Sequence, residues 1–369
     1  MKFRSIIRNI LPYYIVEWNR KKHSENSFIE EFNQSKYNSE NEISDELSYF
    51  DSIVSVQGFG YSGSGAVIDF LREYPCAEVI GYVDKKEEGG GFVPEKMKMS
   101  EIDFIRLSGG LFEIEKYLES DNFFFNDALL NRTANLFGQA SLFKYSDRVK
   151  NLMFNFFSNI TSIHLSNLQQ IYYNYHTLSS SSIPDILFLK QMTRSEYVNL
   201  CRVFLMSVFN VFAGEGRKFL VCDQLLSDGD LNIKRNIEYI PNLKTIIVIR
   251  DPRDTYCWAV KKNVEWIAHN SVEQFIEWYK IMYKNVPLHS SNDFLIVRYE
   301  NFVLDYDKEE INIQSYMGLK LEDHILRKEY FKPDYSRRFV GIYKEIPELD
   351  EDCTRISEEL PNYCNPIID

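Results

Sequence analysis

At 369 residues the chain can form one large domain or two smaller ones, and its 44% apolar and 26% charged content is ordinary for a globular protein. A formal net charge of −12 excludes a general nucleic-acid binder, which carries a basic surface, but not a small anion held by a local cluster of Arg, Lys and backbone N–H groups. Cys76, Cys201, Cys222, Cys257, Cys353 and Cys364 show no CxxC spacing and the histidines no HExxH pair, so no metal site or disulfide framework is expected and a reducing cytoplasm fits.

Residues 1–22 carry Lys2, Arg4, Arg8, Arg20, Lys21 and Lys22 around an apolar middle that Pro12 interrupts. The run is too short and too polar to span a membrane. It reads as a basic arm packing on the domain; the other reading is peripheral contact with the anionic face of the inner membrane. Residues 23–48 are rich in Ser, Asn and Glu and read as linker. Residues 1–50 are thus an arm and linker, and 51–369 an α/β domain.

That domain opens with residues 53–71, IVSVQGFGYSGSGAVIDFL. A β-branched run passes through glycines and serines, and then Val67, Phe70 and Leu71 recur at helical spacing. Strand, glycine-rich loop and helix in that order make a cradle for a phosphate-type anion. Glycines allow φ > 0, so that successive N–H groups converge, and the helix from near Ser64 adds its positive end. The plainer reading is a strand-to-helix turn that needs glycine for packing.

Residues 77–83 form a second strand and 84–91 a charged, glycine-rich loop. Residues 100–111, SEIDFIRLSGGL, alternate acidic, apolar and basic side chains before a helix at 112–118. From about 120 to 217 the spacing is helical, with a loop at Ser179 to Pro184, which makes a helical insertion on the acceptor side of the domain. The sheet resumes at 218–223 and at 244–250, a continuous β-branched run expected to be buried on both faces of a parallel sheet. A helix follows residues 250–254, RDPRD; a further helix covers 272–283 and a last strand 293–300. The alternation predicts an α/β, P-loop-type three-layer fold with a central, mainly parallel sheet. Ligands in such sheets bind at the carboxyl ends of the strands, where the opening loop, Asp223, Arg250 and Arg298 fall.

With these residues in place the chain resembles the sulfotransferases that use 3′-phosphoadenosine 5′-phosphosulfate (PAPS). Residues 58–65, GFGYSGSG, resemble the family's 5′-phosphosulfate loop, and 246–254, IIVIRDPRD, its 3′-phosphate segment. Residues 297–303 with 316–319 are similar to a common downstream pattern, and 336–344, SRRFVGIYK, to the basic loop that closes over the nucleotide. Within the family the likeness is greatest to bacterial enzymes that sulfate polysaccharides. The resemblance implies PAPS as donor, adenosine 3′,5′-bisphosphate as product, no metal requirement, and a carbohydrate hydroxyl as acceptor.

It also implies roles for particular residues. Gly60, Tyr61, Ser62, Gly63, Ser64, Gly65 and Ala66 would hold the phosphosulfate, with cap formation as the other role of Ser62 and Ser64. Arg250 would grip the 3′-phosphate through its planar fork, its other role being a pair with Asp251 or Asp254. Trp258, Arg337 and Arg338 complete the donor set. Glu101 and Asp103, at an acidic-aromatic step, are the first candidates for the base, and Asp223 the second; each is alternatively a solvated or paired carboxylate. Arg106 and Lys190 are candidates for an anionic sugar, or plain surface charges.

Two positions depart from the family pattern. Tyr61 stands where a Lys or Arg usually precedes the Ser-Gly step, and Trp258 where a Ser usually follows the arginine by eight residues. Either Arg253, Arg337, Arg338 or Lys344 substitutes, or the chain is a nucleotide- or glycan-binding relative without catalysis. A P-loop kinase is disfavoured because Ser64-Gly65 stands where Lys and then Ser or Thr are needed. A dinucleotide oxidoreductase is disfavoured because no acidic residue falls clearly at the strand end where the ribose would bind.

Overall fold

A computed structural model describes residues 49–80, 192–226 and 233–368 continuously, with isolated residues at 111–112, 114–116, 118, 124–125, 152, 155–156, 159–160, 187–188 and 190. The N-terminal arm, and residues 100–106 with Glu101, Asp103 and Arg106, lie outside the described residues.

Five parallel strands form the central sheet in the order β2-β5-β1-β6-β7: β1 (Ser52–Gly58), β2 (Ala77–Ile80), β5 (Phe219–Asp223), β6 (Leu243–Ile249) and β7 (Phe294–Arg298). Central β1 is buried at every residue, and β6 at all but Lys244. That is why both read as unbroken apolar runs. Their side chains alternate between two cores. Ile53, Leu220, Ile247 and Ile249 face one side, against α2 (Arg194–Asn210), α3 (Ile233–Tyr239), α4 (Pro252–Lys262), α5 (Val272–Met282) and α8 (Asp350–Glu359). Val54, Val56, Val221, Ile246 and Val248 face the other, against α1 (Ser64–Arg72), α6 (Tyr299–Leu304) and α7 (Tyr306–Met317). Helices on both faces of a parallel sheet make the three-layer α/β fold.

Two expectations change. The span from 120 to 217 is not helical throughout: β3 (Phe124–Phe125) pairs antiparallel with β4 (Leu187–Phe188), as suits aromatic residues that fit a pleated surface. Its last helix, α2, belongs to the domain core, burying Tyr197, Val198, Cys201 and Phe204 against the sheet side; its capping box at Thr193 and Glu196 fixes where it starts. The final strand stops at Arg298, because Tyr299 and Glu300 already lie in α6. No helix among the described residues is long and apolar enough to cross a membrane.

Candidate functional site

The chain leaves β1 through α1 toward β2, and leaves β6 through α4 and α5 toward β7 on the opposite edge. Neighbouring connections that part in opposite directions open a crevice at the carboxyl ends of β1 and β6. The loop after β1 folds tightly into it, with φ of 46° at Gly60, 60° at Tyr61 and 90° at Gly63. Gly58 has to be glycine, since a Cβ there would meet Ser62 Oγ at 1.9 Å. At Gly63 a Cβ would meet the Tyr299 ring at 2.3 Å, in a left-handed backbone that side chains resist.

Helix α1 starts from Gly63 with no side-chain cap and no acidic residue in its first turn. Ser62 and Ser64 therefore do not cap it; glycine occupies the N-cap position, and the first-turn donors keep their positive end toward the crevice. Ser62 is 2% exposed, and among the described residues its Oγ has no hydrogen-bond partner.

Arg250 enters from the end of β6. It is 6% exposed, donates from one terminal nitrogen to Tyr61 O at 3.3 Å and from the other to Phe339 O at 2.6 Å, and stacks 5.2 Å from the Tyr299 ring centre. Its Nε is buried without a partner among the described residues. The expected alternative, a pair with Asp251 or Asp254, is not what its hydrogen bonds show. Asp251 binds Arg253 through Nε at 3.0 Å and a terminal nitrogen at 2.8 Å, caps α4, and accepts from Asn365 N at 2.7 Å. Arg253 is thereby committed to structure and cannot stand in for the missing loop cation. Asp254 is fully buried and accepts from Gly341 N at 2.7 Å and Tyr343 N at 3.2 Å, fixing the segment that presents Phe339 O. Burial pushes its carboxyl up to about 6, against the opposing pull of Arg250 and the two N–H groups.

Together these residues enclose a cleft of about 320 Å³, lined by Gly58, Tyr61, Ser62, Gly63, Ser64, Gly65, Gln224, Arg250, Trp258, Tyr299 and Phe339. Its rim is aromatic. Tyr61 stacks on Trp266 at 5.8 Å and meets Trp258 edge-on at 6.5 Å; Trp258 meets Phe339 edge-on at 5.4 Å. A closed, glycine-turned loop with buried donors and a cation is suited to hold a tetrahedral oxyanion. Among the described residues no cluster of His, Cys, Asp and Glu could hold a metal ion.

No family model and no curated protein matches this sequence. Solved structures do. The chain is similar to the sulfotransferase domain of the Synechococcus PCC 7002 olefin synthase, at 11% identity over 85% of this chain and 94% of that one, with a TM-score of 0.39. It is also similar to sulfotransferase STF9 of Mycobacterium avium, at 10% identity over 88% and 81% of the two chains, TM-score 0.33. For STF1 of Mycobacterium tuberculosis H37Rv the identity is 11% over 80% and 78%, with a TM-score of 0.33.

Of the residues singled out in the sequence, Tyr61, Ser62, Gly63, Ser64, Gly65, Arg250 and Trp258 line the cleft. Gly60 and Ala66 sit beside it, Gly60 packed close to the Trp278 ring. Arg337 and Arg338 are exposed and outside the lining; Arg338 stacks 3.6 Å over Tyr335 instead. Asp223 is half-buried at the end of β5, and its neighbour Gln224 takes the place in the lining. Lys190 is exposed. Sequence reasoning missed Gln224, Tyr299 and Phe339. Tyr299 could have been found from the 297–303 pattern and Phe339 from the 336–344 loop, each of which contains it; nothing in the sequence marks Gln224.

Proposed function

We propose that the chain transfers a sulfuryl group from PAPS to a hydroxyl of a carbohydrate acceptor, a bacterial surface or capsular polysaccharide or its precursor. The observation that carries this reading is the pair of buried donors without a partner among the described residues, Ser62 Oγ and Arg250 Nε, in one cleft with the open start of α1. Buried polar groups in folded proteins are almost always hydrogen-bonded, so two orphans in one pocket mark where a ligand's oxygens belong. The resemblance of residues 58–65 and 246–254 to the donor loops of PAPS-dependent enzymes names that ligand.

In the transfer the acceptor oxygen bonds to sulfur, the bond from sulfur to the bridging phosphate oxygen breaks, and adenosine 3′,5′-bisphosphate departs with the electron pair. The residues mainly position groups and stabilise charge, as in phosphoryl transfer. The first N–H groups of α1 and the Ser62 hydroxyl face the phosphosulfate, and the Arg250 fork holds the 3′-phosphate. The acceptor proton goes to a carboxylate. Asp223, at the end of β5, is the described candidate; Glu101 and Asp103 lie outside the described residues. The product nucleotide needs no metal in this scheme.

One observation favours a second reading, a binding protein without transfer: the loop cation is replaced by Tyr61, which is 41% exposed and stacked on Trp266. Titration and transfer assays separate the two. Binding of adenosine 3′,5′-bisphosphate with no binding of ATP and magnesium is expected, together with transfer of labelled sulfate to a polysaccharide. Tight nucleotide binding without transfer to any of a broad acceptor panel would favour the second reading. Preference for ATP and magnesium would sink both.

A further inference from the structure

The chain has four non-glycine residues with positive φ: Tyr61, Gln224, Asn263 and Lys328, among those described. Asn263 is the left-handed C-cap of α4, an ordinary use of that conformation, and Lys328 lies away from the cleft. Tyr61 and Gln224 both line it. A left-handed residue that is neither Gly nor Asn costs about 1–3 kcal/mol and persists only where its surroundings over-determine it.

Gln224, with φ of 51°, is held from both sides. Its own N–H donates to Val56 O at 2.8 Å, which fixes the turn to β1. The next two N–H groups are taken by Gln57, a fully buried side chain on β1. In the amide orientation that satisfies both partners, Gln57 Oε1 accepts from Leu226 N at 2.7 Å and Leu225 N at 3.0 Å. Leu225 and Leu226 are themselves buried, so the turn cannot relax by swinging outward. Two neighbouring residues of β1 thus hold one glutamine in an unfavourable conformation beside the glycine loop. Among the described residues its own amide has no hydrogen-bond partner.

We propose that Gln224 is a substrate-binding residue whose side-chain amide donates to the outer oxyanion of the ligand, the terminal sulfonate of PAPS, and that Gln57 is the positioning residue behind it. A neutral amide there supplies a donor where the loop's cation is missing and Tyr61 stands instead. At the end of β5 it is Gln224, not Asp223, that reaches the cleft wall. This assignment rests on the donor reading above.

The test compares two nucleotides that differ only in the sulfonate. Calorimetric titration of the full chain with PAPS and with adenosine 3′,5′-bisphosphate is run on the parent and on Gln224→Gly, which fits the left-handed backbone and removes the side chain with its amide. PAPS affinity should fall about tenfold to a hundredfold while bisphosphate affinity stays within about twofold. The thermal midpoint of Gln224→Gly should equal or exceed the parent's, since the strain is relieved. Gln57→Leu, which frees the turn, should show the same selective loss more weakly, together with a lower midpoint. Equal retention of both nucleotides by Gln224→Gly would overturn the assignment and leave the donor reading standing, as would a parallel loss of both. Failure of the parent to bind either nucleotide would overturn the donor reading and this assignment with it.

Discussion

Two corners of the molecule bury charge, and they finish the job differently. Beyond the far end of α1, His324 lies between Glu73 and Glu310, each ring nitrogen 2.6 Å from a carboxylate oxygen. The second oxygen of Glu73 accepts from Tyr330 N at 3.0 Å and Phe331 N at 2.9 Å, and Glu310 also takes Arg327 at 2.6 Å. The His324 ring stacks on Tyr74 at 4.5 Å. In that corner each imidazole nitrogen and each carboxylate has a partner, and the nearby Tyr306 hydroxyl is the exception, buried without one among the described residues. At the near end of α1, Arg250 meets two main-chain carbonyls, and among the described residues its Nε and the Ser62 hydroxyl of the same cleft have no partner. Similar burial with opposite satisfaction separates a structural clamp from a binding site. The clamp ties α1 to the chain beyond α7; the cleft leaves its donors for something outside the chain.

The largest expected effect is on the clamp. Replacing His324 with Ala leaves two buried carboxylates facing each other, and should cost about 3–5 kcal/mol of unfolding free energy. Urea titration measures it, and nucleotide affinity, read well below the transition, should stay within about twofold. A loss under about 1 kcal/mol would mean that the clamp holds nothing. Next in size is Arg250→Ala. Its affinity for adenosine 3′,5′-bisphosphate should fall by about 2–4 kcal/mol, whereas stability should fall by only about 1–2 kcal/mol for two carbonyl contacts. Arg250→Lys should not restore binding, since an ammonium cannot reproduce the fork. If Arg250→Ala binds the nucleotide like the parent, the contrast between the corners has no functional meaning.

What the sequence revealed follows from how local each feature is. The runs in β1 and β6, the glycine loop and the arginine after β6 were legible because sheet burial and tight turns constrain composition directly. The position of Tyr61 in the motif pointed to a special residue, though not to its left-handed backbone. Strand order was not legible: β5 enters between β2 and β1 after more than a hundred intervening residues, and no local pattern encodes that. The sequence leaves Arg253 available as a substitute cation because only the helix cap turns its partner Asp251, two residues earlier, toward it. Serine favours the cap role that Ser62 and Ser64 could fill, yet the loop brings Gly63 to the cap and buries Ser62 against Gly58. The conformation of Gln224 comes from bonds to two neighbouring β1 residues, Val56 and Gln57, so only the assembled sheet reveals it.

Asp254 stands between the two kinds of corner, and its titration sharpens the comparison. It has N–H donors at Gly341 and Tyr343, but its cationic neighbour Arg250 is directed at carbonyls. Its carboxyl titrates near 6 in the folded protein against an ordinary 3.8, chiefly because it is buried. Between those values the folded state binds the proton that the unfolded state has released, so this group's contribution to stability falls as pH rises from about 4 to about 6. The size is up to about 2–3 kcal/mol. Asp254→Asn removes the titration, so the parent should gain on the variant by that amount as pH drops from 7 to 4, measured by urea unfolding at both. Parallel stability curves would show that Arg250 already neutralises Asp254 as completely as the clamp's partners match one another. The guanidinium would then be spent inside the fold, with no surplus field for a phosphate. A parent curve that rises toward acid leaves Arg250 incompletely matched by the protein, as an anion site requires.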